Sequence, residues 1–400
     1  MDIGQGITFG GGVSITPAPT TPGEPIIGTA TATGQTTATV AFTAPNTDGG
    51  STILSYTATS NPGGITGTLT QAGSGTITVS GLSSSTSYTF TVTATNINGT
   101  GSPSAASNSI TTNAPPPTGQ VAYTTAGTYS WVAPASVTSV CVVCVGAGSG
   151  GKRVVFVKPG DDDEFYWAGA GGALAYKNNI TVTPGQSYTV VVGAGGIGGY
   201  NGTAGGSSTF NSTTCGAGGG QVATGESAYS VGPSGGAILN GDGGGAGGAC
   251  GNYGGGQAGG YNPGGGGAGG YSGSGGNGGN GAAINYGYAV AGSPGNGGGG
   301  GGGATGGQTF NQGAYYGAAG GGVGLLGEGA SGAGGNYASP SELGGRGGSG
   351  GTNGDYAVFG SGAGGLYGGG ASMDKIGGGG AVRIIWGSNR SFPSTNTGDL

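Results

Sequence analysis

From Ala268 to Ala283 the chain reads AGGYSGSGGNGGNGAA, and its side chains keep a strict phase. Ala268, Tyr271, Ser274, Asn277, Asn280 and Ala283 fall three apart, and of the positions between them only Ser272 and Ala282 are not glycine. A period of three is that of the polyproline-II-type helix, with three residues per turn and about 3.1 Å of rise per residue. Two faces of such a helix are bare glycine and the third carries the side chains. Bare faces let backbones approach closely, as in collagen, but collagen has one glycine per triplet and abundant proline, whereas this chain has 18 prolines in all. The pattern therefore predicts a bundle of parallel and antiparallel polyglycine-II helices, held by N–H···O=C bonds and Cα–H···O contacts. Ordering glycine is entropically expensive, so only a cooperative lattice with nearly every amide satisfied can stand against the disordered alternative. The recurring tyrosines speak against a plain linker. As one uninterrupted helix the stretch would span roughly 50 Å.

Glycine is unevenly distributed: residues 1–120 hold 19 of the 112 glycines and the remaining 280 residues hold 93. The proline-rich NAPPPTG at Asn113–Gly119 reads as a stiff hinge between the two regimes. Before it, IIGTATAT, TATVAFTA, ILSYTATS, TITVSGL, SYTFTVTATN and NSITT are short β segments separated by the turn signals PNTDGGS, NPGG and NINGTGS. That spacing predicts a β-sandwich over residues 23–113. The stretch GLSSSTSYTFTVTATNINGTGSPSAASNSITT resembles a fibronectin type III domain. Leu82 and Tyr88 stand as its tyrosine corner, Tyr88, Phe90, Val92 and Ala94 as its core strand, and Phe42 occupies the place of its usual tryptophan. The resemblance implies a spacer more readily than a ligand-binding module.

The first 22 residues form a separate segment. Ile3, Ile7, Phe9, Val13 and Ile15 all occupy odd positions, the period of an extended strand with one apolar face. With no strand partner nearby in the sequence, it reads either as a tail or as a strand that docks on another subunit, and the one-sided pattern favours an anchoring role.

After the linker at 114–120, residues 121–400 hold valine-rich strands around Trp131, in SVCVVCV, ALAYKNNITVT and SYTVVVGAGG, and then AVRIIW far downstream. These predict a second β-sandwich whose first and last strands bracket a glycine-rich, polyglycine-II-like insertion over about residues 193–380. In AVRIIW, Val382, Ile384 and Trp386 share one face and Arg383 and Ile385 the other. The predicted fold is all-β with no helix. Cys141 and Cys144, three apart on a strand, face opposite ways and do not share a disulfide or a metal. Cys215 and Cys250 could pair or remain buried thiols.

Composition excludes several kinds of chemistry. There is no histidine, so the commonest acid–base group and metal ligand is missing. The net charge is -6 with eight basic residues in all, which does not suit a phosphate backbone. Matches to GxGxxG mean nothing in so glycine-rich a chain, and no helix follows any of them. No apolar run reaches the ~18 residues that span a bilayer, and MDIGQGITFGGG lacks the pattern of a signal peptide. The charges in KRVVFVKPGDDDEFYW gather on one predicted hairpin, where Asp161, Asp162, Asp163 and Glu164 read as a solvated tip or subunit contact, or as oxygen ligands for a cation. No enzyme activity, cofactor, metal site or nucleic-acid partner is expected.

The stretches GTYSWVAPASVTSVCVVCVGAGSGG, GALAYKNNITVTPGQSYTVVVGAGG and GGGGAVRIIWGSNRSFPSTNTGDL resemble glycine-rich structural proteins of tailed bacteriophages, especially those of marine cyanobacteria. The KRVVFVKPGDDDEFYWA interruption departs from that pattern. The resemblance implies a non-enzymatic virion surface protein, made in the host cytoplasm and oligomeric in the particle, of the tail-fibre or adhesin type. The N-terminal segment would anchor it to other virion proteins. Tyrosines in turns of the bundle, Tyr271, Tyr286, Tyr288, Tyr315 and Tyr316, would meet a host glycan or outer-membrane protein, rigid aromatics being economical contacts. A capsid decoration or head-fibre protein is the alternative, with the tyrosines as a coat sealing the lattice.

Overall fold

The computed structural model describes residues 18–158, 161–224, 232–252, 263–280, 290–303, 318–333, 351–354, 363–372 and 375–394, with short strands at 7–9, 13–15, 308–309 and 312–314. Among these residues the fold is all-β and contains no helix. The chain divides into two compact units, Met1–Pro115 and Pro116–Leu400.

In the first unit, β1 (Ile7–Phe9) and β2 (Val13–Ile15) pair antiparallel, Ile7 opposite Ile15 and Phe9 opposite Val13. The two strands make the segment an antiparallel pair and not the single extended strand that its alternation predicts. The rest of the unit comprises β3 (Ile26–Ala32), β4 (Thr37–Thr43), β5 (Ser55–Asn61), β6 (Thr66–Leu69), β7 (Gly75–Ser80), β8 (Ser87–Asn96), β9 (Gly99–Thr100) and β10 (Ile110–Thr111). The strands β3-β4-β7 form one sheet and β10-β8-β5-β6, with β9 on β8, the other. Period-2 alternation buries Val40, Phe42, Tyr56, Ile77, Val79, Phe90 and Val92 between them. Phe42 fills the expected aromatic position, its ring 4.2 Å from that of Tyr56. The tyrosine corner is present: Ser83 N–H donates to the Tyr88 hydroxyl at 2.9 Å.

The second unit holds β11 (Gly119–Tyr123), β12 (Gly127–Val132), β13 (Ser139–Val145), β14 (Lys152–Lys158), β15 (Asp161–Trp167), β16 (Leu174–Thr181), β17 (Ser187–Val192) and β18 (Ser208–Phe210). The later strands are β19 (Cys215–Ala217), β20 (Ile238–Asn240), β21 (Gly243–Gly245), β22 (Gln308–Thr309), β23 (Gln312–Ala314) and β24 (Ala381–Trp386). Two five-stranded sheets, β11-β24-β13-β16-β21 and β12-β17-β18-β19-β20, make the sandwich, with β14-β15 and β22-β23 as separate hairpins. The last strand therefore returns to the first sheet as its second strand, between β11 and β13. Val140, Val142, Cys144, Val382 and Ile384 face the second sheet, where Trp131 contacts Phe210 and Trp386. Cys141, Val143, Val145 and Ile385 line the opposite face, which Tyr271, Val323, Leu325 and Phe392 cover. Cys141 and Cys144 accordingly sit in different cores, and all four cysteines are buried free thiols.

A second tyrosine corner occurs here, with Thr183 N–H donating to the Tyr188 hydroxyl at 2.7 Å. The shared SYT of TSYTFTV and QSYTVVV carries the signal for both corners.

Candidate functional site

Beyond the sandwich the strands run on into polyglycine helices. After β13, residues 146–151 donate their amides in three directions by turns. Gly146 and Ser149 donate to Ala173 and Ala170, Ala147 and Gly150 to Gly206 and Thr203, and Gly148 and Gly151 to Gly378 and Lys375. A donor direction that repeats every third residue is the threefold screw of polyglycine II. Residues 264–270 lie deeper in the same lattice. Gly264, Gly267 and Gly270 donate to Gly279, Gly276 and Gly273; Gly265 and Ala268 to Ala318 and Gly321; Gly266 and Gly269 to Gly169 and Gly172. Carbonyls of the same run accept from Gly248 and Gly251, from Gly300 and Gly303, and from Gly370. Antiparallel and parallel neighbours surround it on all sides.

Glycine is obligatory at these crossings. A Cβ on Gly171 would stand 1.9 Å from the Gly267 carbonyl oxygen, and one on Gly148 2.0 Å from that of Gly369. Helices this close leave no room for a methyl group.

The triplet run that predicts one long helix is folded in two. The chain reverses at Tyr271–Gly273, so 264–270 and 273–279 lie antiparallel, each arm about 20 Å long. The side-chain face survives the reversal, and Asn277 and Asn280 use it to accept the amides of Ala249 and Asn252 at 2.9 and 2.8 Å. That role was not anticipated, although the Asn spacing of three was its visible signal.

Tyr271, placed by its sequence among the recognition tyrosines, is instead fully buried at the sandwich end of the lattice. Its ring stacks on Phe392 at 5.8 Å. Its hydroxyl donates to the Gly324 carbonyl at 3.3 Å and accepts from Gly327 N–H at 3.2 Å. Burial pushes the phenol up, against smaller lowering contributions from the Gly327 hydrogen bond and Arg383. A bulky residue at the reversal plugs the space over β13, which glycine could not fill. Tyr286, Tyr288, Tyr315 and Tyr316, like Ile3, lie outside the described residues.

Hydrogen-bond levels orient the lattice. Residues 146, 173 and 206 adjoin the strands, whereas Gly151, Gly199, Thr203 and Lys375 share a level at the opposite end, as do Gly264, Gly279 and Gly303. At that far end the chain leaves and re-enters the described lattice at 151 and 168, 197 and 203, 221 and 232, 252 and 263, 280 and 290, and 303 and 318. The sequence between these points includes Tyr200, Tyr229, Tyr253, Tyr261, Tyr286, Tyr288, Tyr315 and Tyr316.

The first connection is the charged hairpin, β14 against β15, with Lys158 opposite Asp161 and Val155 opposite Glu164. At its base Arg153 lies 4.6 Å over the Tyr200 ring and Lys152 Nζ donates to the Ala223 carbonyl at 3.1 Å. Ile197, Tyr200 and Ile376 are more than half exposed on this rim. The inner cations differ in kind. Arg383 and Arg390 are buried, and both donate to the Gln120 side-chain oxygen. Among the described residues no group of three or more His, Cys, Asp or Glu side chains could hold a metal, and no helix is long and apolar enough to cross a membrane.

Residues 23–110 match the fibronectin type III domain, and residues 124–352 match the glycine-rich domain. No curated protein matches the chain. Similar solved structures include titin kinase and its flanking domains (26% identity over 23% of this chain and 17% of that one, TM-score 0.21). The twitchin kinase region from C. elegans is 24% identical over 24% of this chain and 17% of its own, with a TM-score of 0.19. The chicken CNTN1 FN1-FN3 domains are 20% identical over 44% of this chain and 60% of their own, with a TM-score of 0.20. The chain thus spans less than two thirds of each of these structures.

Proposed function

The chain belongs to the glycine-rich domain family, and from that premise we propose that it is a non-enzymatic structural protein of a phage virion, of the tail-fibre or adhesin type. One observation carries this reading: the connections that leave the lattice do so at the end opposite the sandwich, and their sequences hold about half of the unit's tyrosines. A lattice with its amides bonded in three directions is a stiff platform. Connections mounted on it can vary in sequence while the strands beneath them stay fixed. The fibronectin type III domain then serves as a spacer, and the N-terminal strand pair with Ile7, Phe9, Val13 and Ile15 joins the protein to other virion components. A host glycan or outer-membrane protein is the partner of the far end, and several copies share one particle.

The experiment is binding of the full chain to host cells, with residues 281–317 exchanged for the same region of a relative specific to another host. A shift in host choice supports attachment. Binding to no cell type, or unchanged choice after the exchange, overturns it. A capsid decoration or head-fibre protein is the second reading, favoured by the burial of Tyr271, a tyrosine that seals the fold rather than facing outward. Immunogold labelling of particles separates the two: label on the head supports decoration, and label on the tail supports attachment.

A further inference from the structure

The core of the second sandwich narrows toward the lattice. At its wide end the Trp131 ring lies between the sheets against Phe210 and Trp386. At the narrow end the core residues are Ala173, Ala175 and Ala217 with Cys144 and Cys215, all fully buried. Stacked sheets ordinarily lie about 10 Å apart, but here Cα atoms of β19 come within 8 Å of β13 and β16. One residue beyond β19 the gap has closed altogether, because Ala173 N–H donates to the Gly218 carbonyl at 2.9 Å. Cys144 on β13 and Cys215 on β19 stand in this wedge, on opposite sheets.

Each sulfur reaches the strands of the other's sheet. Cys144 Sγ lies 3.6 Å from the Cys215 carbonyl oxygen. Cys215 Sγ lies 3.7 Å from the carbonyl oxygen of Ala175, the residue directly opposite Cys144 on β16, and 3.8 Å from that of Val142. Burial, and after it the neighbouring Cys215 thiol, hold Cys144 protonated. A disulfide needs Cα atoms about 4.4–6.8 Å apart, a span too short for ordinary stacked sheets and suited to a wedge that closes to hydrogen-bond contact. The other two cysteines lie elsewhere. Cys141 belongs to the opposite core, and Cys250 bonds to Gly251, whose amide donates to Gly264 at the lattice's far end. The partner left open for Cys215 in the sequence is therefore Cys144 and not Cys250.

We propose that Cys144 and Cys215 are a latent inter-sheet disulfide, closed by thiol–disulfide exchange when the chain meets an oxidising medium. One thiolate of the pair attacks a sulfur of a small-molecule disulfide such as oxidised glutathione and releases one glutathione thiolate. The second thiolate attacks the mixed disulfide, forms the Cys144–Cys215 bond and releases the other glutathione. The pair gives up two protons and two electrons, which the two released thiols carry. Because both sulfurs are buried, exchange takes place while the sheets are assembling or transiently open. The bond restricts the unfolded chain by closing the loop of residues 144–215. In the folded chain it ties the two sheets together where they pass into the lattice. The proposal does not rest on what the far end of the lattice binds.

The test uses the full chain, purified with its thiols reduced and incubated with oxidised glutathione in urea just below its unfolding midpoint, so that the sheets open and reclose. After the urea is removed, peptide mapping without reductant locates any disulfide, and thiols are counted in denaturant. Expected are a peptide joining Cys144 to Cys215 in most molecules and two remaining thiols of the original four. The thermal midpoint of this sample should lie above that of the same sample after reduction. Cys141→Ala and Cys250→Ala should keep the cross-link, and Cys215→Ala should lose it. Four intact thiols, glutathione adducts without the cross-link, a bond between Cys215 and Cys250, or a cross-link that lowers the midpoint overturns the proposal. The map is read on the unaltered chain, so the test stands even where a variant fails to fold.

Discussion

The amide of Ala249 donates to the side-chain oxygen of Asn277 at 2.9 Å, and three residues further along both segments Asn252 and Asn280 repeat the bond at 2.8 Å. A polyglycine helix inside the lattice has backbone partners in every direction, but one at its margin does not. Asparagine at the side-chain position of the triplet supplies the missing acceptor. Replacing Asn277 and Asn280 by Ala returns these two amides to water and costs about 0.5–1.5 kcal/mol per bond. Amide hydrogen exchange should quicken at residues 249 and 252, with residues 264–270 unaffected.

Gly171→Ala is expected to prevent folding of the second unit or to lower its thermal midpoint severely. The added methyl meets the Gly267 carbonyl at 1.9 Å, with backbone on both sides and no flexible side chain to yield. Gly379→Ala is the matched comparison, since nothing lies within 4 Å of its Cβ. Its midpoint should move by no more than about 0.5 kcal/mol equivalent. Differential scanning calorimetry on the two variants decides the point.

Removal of the Tyr271 hydroxyl leaves the Gly327 amide and the Gly324 carbonyl without that partner in a buried site. Tyr271→Phe should cost about 1–3 kcal/mol, and Tyr271→Ala, which also empties the stack on Phe392, about 3–5 kcal/mol. Denaturant midpoints measure both. Neither change should shift host choice in the attachment assay, because the residue faces the sandwich.

Alkaline pH should unfold the second unit in stages. Burial raises the thiols of Cys141, Cys144 and Cys250 and the phenol of Tyr271 above their ordinary values. Because the folded values are the higher ones, the stability they represent is complete below the unfolded values of about 8.5 for thiols and 10 for tyrosine. It is lost as pH climbs from there through the folded values. Denaturation curves should coincide between pH 6 and 8 and lose stability above about pH 9, thiols first. A disulfide-forming thiol reagent should leave the folded unit unmodified and react with all four cysteines once it is unfolded.

Much of this architecture is legible in the sequence. Alternation marks both sandwiches, because half-buried strands must place apolar residues at every second position, and the split of AVRIIW into two faces appears as two distinct cores. Triplet phase likewise announces the polyglycine lattice. Chain reversals are harder to read. Tyr271 occupies a side-chain position in either a straight helix or a turn, and its tertiary contacts with Phe392 and the β13 face are what distinguish the two. Its burial follows from that reversal. The N-terminal alternation has the same weakness, since period-2 spacing fits one continuous strand as well as the two paired strands β1 and β2. Partners of lattice helices are illegible for another reason: glycine carries no side chain that could distinguish one neighbour from another.

The pairing of Cys141–Val145 with Ala381–Ile385 closes a loop that contains the entire lattice. Until β24 arrives, β11 and β13 have no common neighbour and their apolar faces lack the strand that joins them. Contacts so distant in sequence form slowly, because a long loop must close before they contribute. Newly made chains should therefore pass through a state with exposed valine strands while the glycine segments find their places. A ribosome that stalls before residue 381 releases a product without the strand that joins β11 to the rest of its first sheet, and quality-control proteases can recognise that product. Completion of the core in this way waits on the arrival of β24.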